Sequence, residues 1–304
     1  MQNYMSRAYL KGILQTFKAA FQLLQNNDPL RLAGATAFFA SFALPPILLI
    51  LIQVMGLLFD RKSIGKQLFF RLSDIVGKES AHQVIITLRG FRGLAHTWPV
   101  AIVLFVFLLF VSTTLLKVIK SSLNQLWMIH IPVKENFLQS ILGRLRSLIV
   151  IGAAGILFLA GLMAESAHAF LGTYIQDLYP GVAFVFNGVF TQLVSLIIVT
   201  AWFTVLFRYL PDARPDWKVA FTGALLTGVL FNIGKLLLRR LLSGGNLGLL
   251  YGASASAVLL LLFIFYSAII FYYGAAFTKA WSEYRKRPMQ PLRKATFYEL
   301  ADVE

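Results

Sequence analysis

The chain has 304 residues, 58% of them hydrophobic and only 13% charged, with a mean hydropathy of +0.72. Soluble domains are about half apolar and about a quarter charged, so a dispersed soluble fold of this size is excluded. The net charge of +15 would direct a soluble protein to nucleic acid, but in a membrane protein Lys and Arg gather in loops against anionic headgroups, and the absence of cysteine removes disulfides, thiolate nucleophiles and Cys-ligated zinc.

Residues 1–30 read as an amphipathic helix, with Leu10, Ile13, Leu14, Phe17, Phe21 and Leu24 at helical spacing and Lys11 and Lys18 on other faces. Asn26-Asn27-Asp28-Pro29 ends it. The segment has no compact apolar core before a small-residue cleavage site, so the first apolar span is expected to act as the insertion signal and remain.

Six apolar spans follow, at about residues 32–59, 97–116, 146–171, 182–207, 219–238 and 250–274, each long enough to cross a bilayer. Turn residues separate the later ones: Pro180-Gly181, Pro211 with Pro215, and Ser243-Gly244-Gly245-Asn246. The expected fold is all-α, a polytopic membrane helix bundle. Its organisation is an N-terminal segment (1–30), a six-span membrane domain (31–280) and a basic tail (281–304). With six spans both termini share a side, which carries eighteen Lys and Arg against ten on the other. The positive-inside rule then predicts cytoplasmic termini.

The first loop runs against that trend. Arg61, Lys62, Lys66, Arg71, Lys78, Arg89 and Arg92 fall on the outer side. They accompany two amphipathic stretches, one with Ile64, Leu68, Leu72 and Ile75, the other with Val84, Ile85 and Leu88. Such helices lie in the headgroup region, apolar face down. Either they are plain interfacial anchors, or Arg61, Lys62 and Lys66 form a basic rim for phosphate groups of a lipid or glycolipid.

Within the spans, Pro45 and Pro46 interrupt the first apolar run, and two successive prolines are expected to break or sharply kink a helix. Broken helices line many transporter sites; a packing kink is the plainer account. In the fourth span Asn187, Thr191 and Ser195 recur every four residues with Gln192 beside them. They serve interhelical hydrogen bonding or a hydrophilic cavity wall. In the fifth, Ala224, Gly228 and Asn232 share a face, and Lys235 follows Asn232 by one turn. A charge at the bilayer centre costs roughly 2.5–3.5 kcal/mol on insertion scales, so Lys235 either faces a cavity or partner or snorkels past Arg239 and Arg240. Glu165 and His168 share a face of the third span. Asn124 and Trp127 read as interface anchors of the second loop, and Arg208 with Pro211 as the end of the fourth span.

Catalytic templates are not met. His82, His96, His130 and His168 are scattered, with no metal-ligand spacing. Gly244, Gly245 and Gly248 lack the Lys-Ser/Thr of a phosphate loop. No catalytic residue, metal or cofactor is therefore assigned, and an enzyme is not expected.

Several local patterns resemble the YihY/BrkB family of bacterial inner-membrane proteins. They are Ala33-Gly34-Ala35-Thr36-Ala37-Phe38-Phe39 with Leu44-Pro45-Pro46; Ser121-Ser122-Leu123-Asn124-Gln125-Leu126-Trp127; Phe207-Arg208-Tyr209-Leu210-Pro211 with Trp217; Gly223 and Lys235; and Tyr251-Gly252-Ala253-Ser254 through Phe265-Tyr266-Ser267-Ala268 to Gly274-Ala275-Ala276. The resemblance covers about residues 30–280. It departs at Ala276, where the family usually has an acidic residue, and near Phe263, where it often has Trp. It implies a six-span inner-membrane protein. Some members carry ribonuclease BN or virulence-factor labels, and envelope-lipid handling has been proposed for relatives. The ribonuclease reading lacks a metal site or acid/base pair in a soluble domain here. The expectation is a transporter or flippase-like handler of anionic amphiphiles, with anionic membrane lipids as partners and no nucleic acid. A small-solute or ion transporter, and a non-transporting scaffold using Arg285, Lys286 and Arg287, are the alternatives. The oligomeric state has no sequence signal.

Overall fold

A computed structural model describes residues 2–55, 98–130, 180–243, 255–292 and 295–298, together with isolated positions and short runs within 69–90 and 152–161. Among these residues the long helices are α1 (Gln2–Gln25), α2 (Pro29–Met55), α3 (Trp98–Leu126), α4 (Pro180–Tyr209), α5 (Trp217–Ser243) and α6 (Ala255–Tyr284). Four two-residue strands accompany them: β1 (Ile129–His130), β2 (Ala213–Arg214), β3 (Gln290–Pro291) and β4 (Thr296–Phe297). Segments of three helices are long and apolar enough to cross a membrane: Gln192–Tyr209, Trp217–Leu237 and Ala257–Tyr284. Most of the third expected span lies outside the described residues.

α6 is the centre of the bundle. It packs against α1, α2 and α5, while α3 packs on α2 and α4 on α5. The α5–α6 seam is close because glycines face threonines reciprocally. A Cβ at Gly223 would overlap Thr278 Oγ1, and one at Gly274 would overlap Thr227 Oγ1. Each threonine hydroxyl donates to the carbonyl of the glycine four residues earlier on its own helix, Thr227 to Gly223 and Thr278 to Gly274, both at 2.7 Å. Those bonds satisfy the hydroxyls where no water reaches them. They let the two backbones approach as small residues do in membrane helices.

Two expectations change. The helix is not broken at Pro45-Pro46: α2 runs unbroken from Pro29 to Met55. The proline ring's φ near −65° is itself helical, so the loss is limited to two N–H donors and the crowding of one turn. The second and sixth spans also continue further than their apolar runs. α3 extends through Lys117 and Lys120 to Leu126, and α6 to Tyr284. Buried Leu123 and Leu126 keep the helical period going where hydropathy falls.

α1 is helical as expected, but Gly12, Thr16, Ala20 and Leu24 form its buried stripe while Leu14 and Phe21 are exposed. Small side chains win that face because α6 lies close. A Cβ at Gly12 would come 2.6 Å from Tyr284 Cζ, and Phe17 meets Phe277 at 4.9 Å between ring centroids. In the first loop, Val84 and Leu88 bury into a small cluster with Leu48, Leu260 and Phe263, so this stretch packs onto α2 and α6. Arg61, Lys62, Lys66 and the face of Ile64, Leu68, Leu72 and Ile75 lie outside the described residues.

Candidate functional site

The polar residues within the spans gather along the inner side of α5. Its buried stripe runs Ala220, Ala224, Thr227, Gly228 and then Lys235, which is 8% exposed. Lys235 lies eighteen residues beyond Trp217, so it sits roughly 27 Å along the helix axis, near the far end of the span. Its side chain turns into the bundle rather than outward. One turn earlier, Asn232 Nδ2 donates to Gly228 O at 2.9 Å. Ser195 Oγ on α4 donates to Asn232 Oδ1 at 3.3 Å. The interhelical hydrogen bond expected of this stripe is therefore present between Ser195 and Asn232. Asn187 and Thr191 belong to α4, but their side chains lie outside the described residues.

Two more hydroxyls belong to this wall. Thr200 Oγ1 is buried without a hydrogen-bond partner among the described residues, against Gly228, where a Cβ would lie 2.8 Å away. Tyr266 Oη is likewise unpartnered, and its ring covers Gly234. The wall thus offers an amine, an amide and several hydroxyls, which suits binding a polar or anionic group by hydrogen bonds and charge. Among the described residues no three His, Asp or Glu come together as metal ligands. Ala276 is wholly buried in the core at the position where a carboxylate was expected from the resemblance. Phe263 packs edge-on against Phe231 and Tyr266.

The opposite end of the bundle carries a second polar constellation, built around an aspartate that the sequence reading passed over. Asp212 is 7% exposed. Asn124 Nδ2 donates to Asp212 Oδ2 at 2.7 Å, and the Asp212 N–H donates to Asn124 Oδ1 at 3.0 Å. Lys120 Nζ lies 2.9 Å from the same carboxylate oxygen. Asn124 is therefore more than an interface anchor: it ties the last turn of α3 to the α4–α5 connection. Trp127, fully buried, donates its indole N–H to Ala275 O at 2.9 Å and ties α3 to α6. Thr36 Oγ1 and Tyr272 Oη, 2.5 Å apart, join α2 to α6.

The tail is built into this end. β3 pairs antiparallel with β2 (Ala213 opposite Pro291), and β4 with β1 (Ile129 opposite Phe297). The Leu292 N–H donates to Asp212 O at 2.9 Å, and the Tyr298 N–H to Met128 O at 3.0 Å. Lys286, at φ 51°, closes α6, with its own N–H bonded to Glu283 O and that of Arg287 to Ser282 O. This turn aims Arg287 at Asp216, with which it forms an ion pair. The Arg287 hydrogen bond holds the Asp216 carboxyl below its ordinary 3.8. Arg285 lies over the Trp281 ring at 5.7 Å. The basic tail is thus a strap across the helix ends. No local signal names Asp212 or Asp216, because their partners are 88 and 71 residues away in sequence.

A family model described as virulence factor BrkB matches residues 20–296. No curated protein and no solved structure matches the chain.

Proposed function

Since the chain belongs to the BrkB family and is a membrane protein with long apolar helices, we propose that it moves anionic amphiphiles, such as phospholipids, between the two faces of the membrane. One observation carries this reading: Lys235 is buried on the inner stripe of a helix long and apolar enough to span a membrane. An ionisable group held there is costly, and the usual return is a substrate or ion path. Asn232, Ser195 and Thr200 extend the polar wall, and would shelter a phosphate headgroup while acyl chains stay in lipid.

The full proposal has six spans, an inner-membrane location and both termini in the cytoplasm. Its support is that the α1–α2 turn, residues 124–130, residues 210–217 and the tail meet at one end, as an even number of crossings requires. The excess of Lys and Arg on that side supports a cytoplasmic position for this end. No catalytic step is assigned to any residue. Anionic lipid is the proposed partner, with no nucleic acid.

The test is lipid flipping in proteoliposomes of the full chain, read by dithionite quenching of a head-labelled phosphatidylglycerol. Wild type is expected to exceed empty liposomes, Lys235→Met to lose most of that excess and Lys235→Arg to retain part. Equal rates in empty and protein-bearing liposomes, or full activity in Lys235→Met, would overturn the reading.

A further inference from the structure

The geometry points to a second phosphate station at the tail end of the bundle, formed by Arg208, Trp217 and Lys218, which holds the headgroup of an anionic lipid. Arg208 ends α4, and its guanidinium carbon lies 4.4 Å from the centre of the Trp217 ring. One terminal nitrogen donates to Pro215 O. Nε is buried and has no acceptor among the described residues. A buried donor without an acceptor is costly, more so on a charged group. The neighbouring carboxylates are engaged elsewhere: Asp212 with Lys120 and Asn124, and Asp216 with Arg287. Among the described residues Arg208, Arg214 and Lys218 form no ion pair. A guanidinium with one neutral acceptor, one ring face, no carboxylate partner among the described residues and its second terminal nitrogen unbonded is matched by a phosphate. Lys218, exposed on the first turn of α5 and next to Trp217 in the chain, adds a second cation, close enough to Asp216 to help lower its carboxyl.

The surroundings favour a lipid as the source of that phosphate. Trp217 and Tyr209 are partly exposed and meet edge-to-face at 6.0 Å, as aromatic residues do at the headgroup level. From Lys218 an exposed apolar ladder, Phe221, Leu225 and Val229, runs down α5 at helical spacing where acyl chains would lie. The roughly 27 Å between Trp217 and Lys235 is close to the hydrocarbon thickness of a bilayer, about 30 Å. Arg208 and Lys235 therefore stand near opposite ends of the span. This inference shares with the proposed function only the chemistry of the ligand; a lipid can be held by protein that moves none.

The test is native mass spectrometry of the full chain in detergent with dioctanoyl phosphatidylglycerol, dioctanoyl phosphatidylcholine or inorganic phosphate added. Phosphatidylglycerol is expected to bind well above phosphatidylcholine and to resist displacement by millimolar phosphate. Arg208→Gln should lower its occupancy about tenfold, Arg208→Lys less, and Lys218→Gln, at an exposed position with no packing role, several-fold. Arg208→Gln and Lys218→Gln are read by bound lipid alone, with no flipping step and with Lys235 intact, so the failure of this station and that of the flipping assay are read apart. Occupancy unchanged in both Lys218→Gln and a folded Arg208→Gln would overturn the station. Displacement by inorganic phosphate would overturn its assignment to lipid.

Discussion

Adding one methyl group at Gly274 tests how α5 and α6 are held together. In Gly274→Ala the new Cβ would overlap Thr227 Oγ1 and stand 2.9 Å from Thr227 Cβ and 3.2 Å from its Cγ2. Comfortable carbon–carbon contact is about 3.5–4.0 Å. Turning the Thr227 side chain withdraws Oγ1 only by breaking its bond to Gly223 O, and the 2.9 Å approach to Cβ remains. The helices must therefore separate by roughly 1 Å. That also loosens the matched contact of Gly223 with Thr278 and of Gly234 with Tyr266. Overpacking of this kind costs about 1–3 kcal/mol, against which alanine's better helix propensity returns at most about 1 kcal/mol. On the scale of soluble domains, each kcal/mol moves Tm by about 2–4 °C. Thermal melting in detergent should thus show Gly274→Ala several degrees below wild type. Gly274→Ala combined with Thr227→Gly should recover part of the loss, because the colliding side chain is gone. A single variant that melts at or above wild type, or a double variant no better than the sum of the singles, would refute the seam as the cause.

Asp212→Ala leaves Lys120 and Asn124 without their acceptor and should cost about 1–3 kcal/mol; melting should show it, and Lys120→Met with Asp212→Leu together should recover part. Trp127→Phe removes the indole bond to Ala275 O and opens a void in the core. It should lower Tm by several degrees, with the loss located in α3 and α6 by hydrogen exchange. The Asp216–Arg287 contact adds an acid-sensitive element to the strap. Because the folded carboxyl titrates below its ordinary 3.8, its contribution is present above that value and is lost as pH falls through the depressed folded pKa. Hydrogen exchange at residues 287–292 should therefore rise below about pH 4 in wild type, and Arg287→Ala should flatten that step. A step of the same size in Arg287→Ala would place the acid sensitivity elsewhere.

Composition and hydropathy alone determined that this is a membrane-embedded helical protein. A chain with long apolar runs and few charges has no other way to bury them, and helices satisfy their own backbone bonds in lipid. Five of the six expected spans correspond to α2 through α6, and the polar stripe of the fourth span was legible from its four-residue spacing, whereas its partner Asn232 was supplied by the structure. Hydropathy could not locate the ends of α3 and α6. There Lys117, Lys120 and Lys279 interrupt the apolar run, yet buried neighbours keep the helix packed. It also allowed a break at Pro45-Pro46 that α2 does not have, since the rule penalises the missing donors without knowing what the rest of the helix gains by continuing. Tertiary structure decided the rest: the glycine–threonine seam, Asp212 between Asn124 and Lys120, and the strap of the tail. Each depends on residues far apart in the chain meeting at one place. Such meetings are selected by packing and charge in three dimensions, and they leave no periodic trace along one.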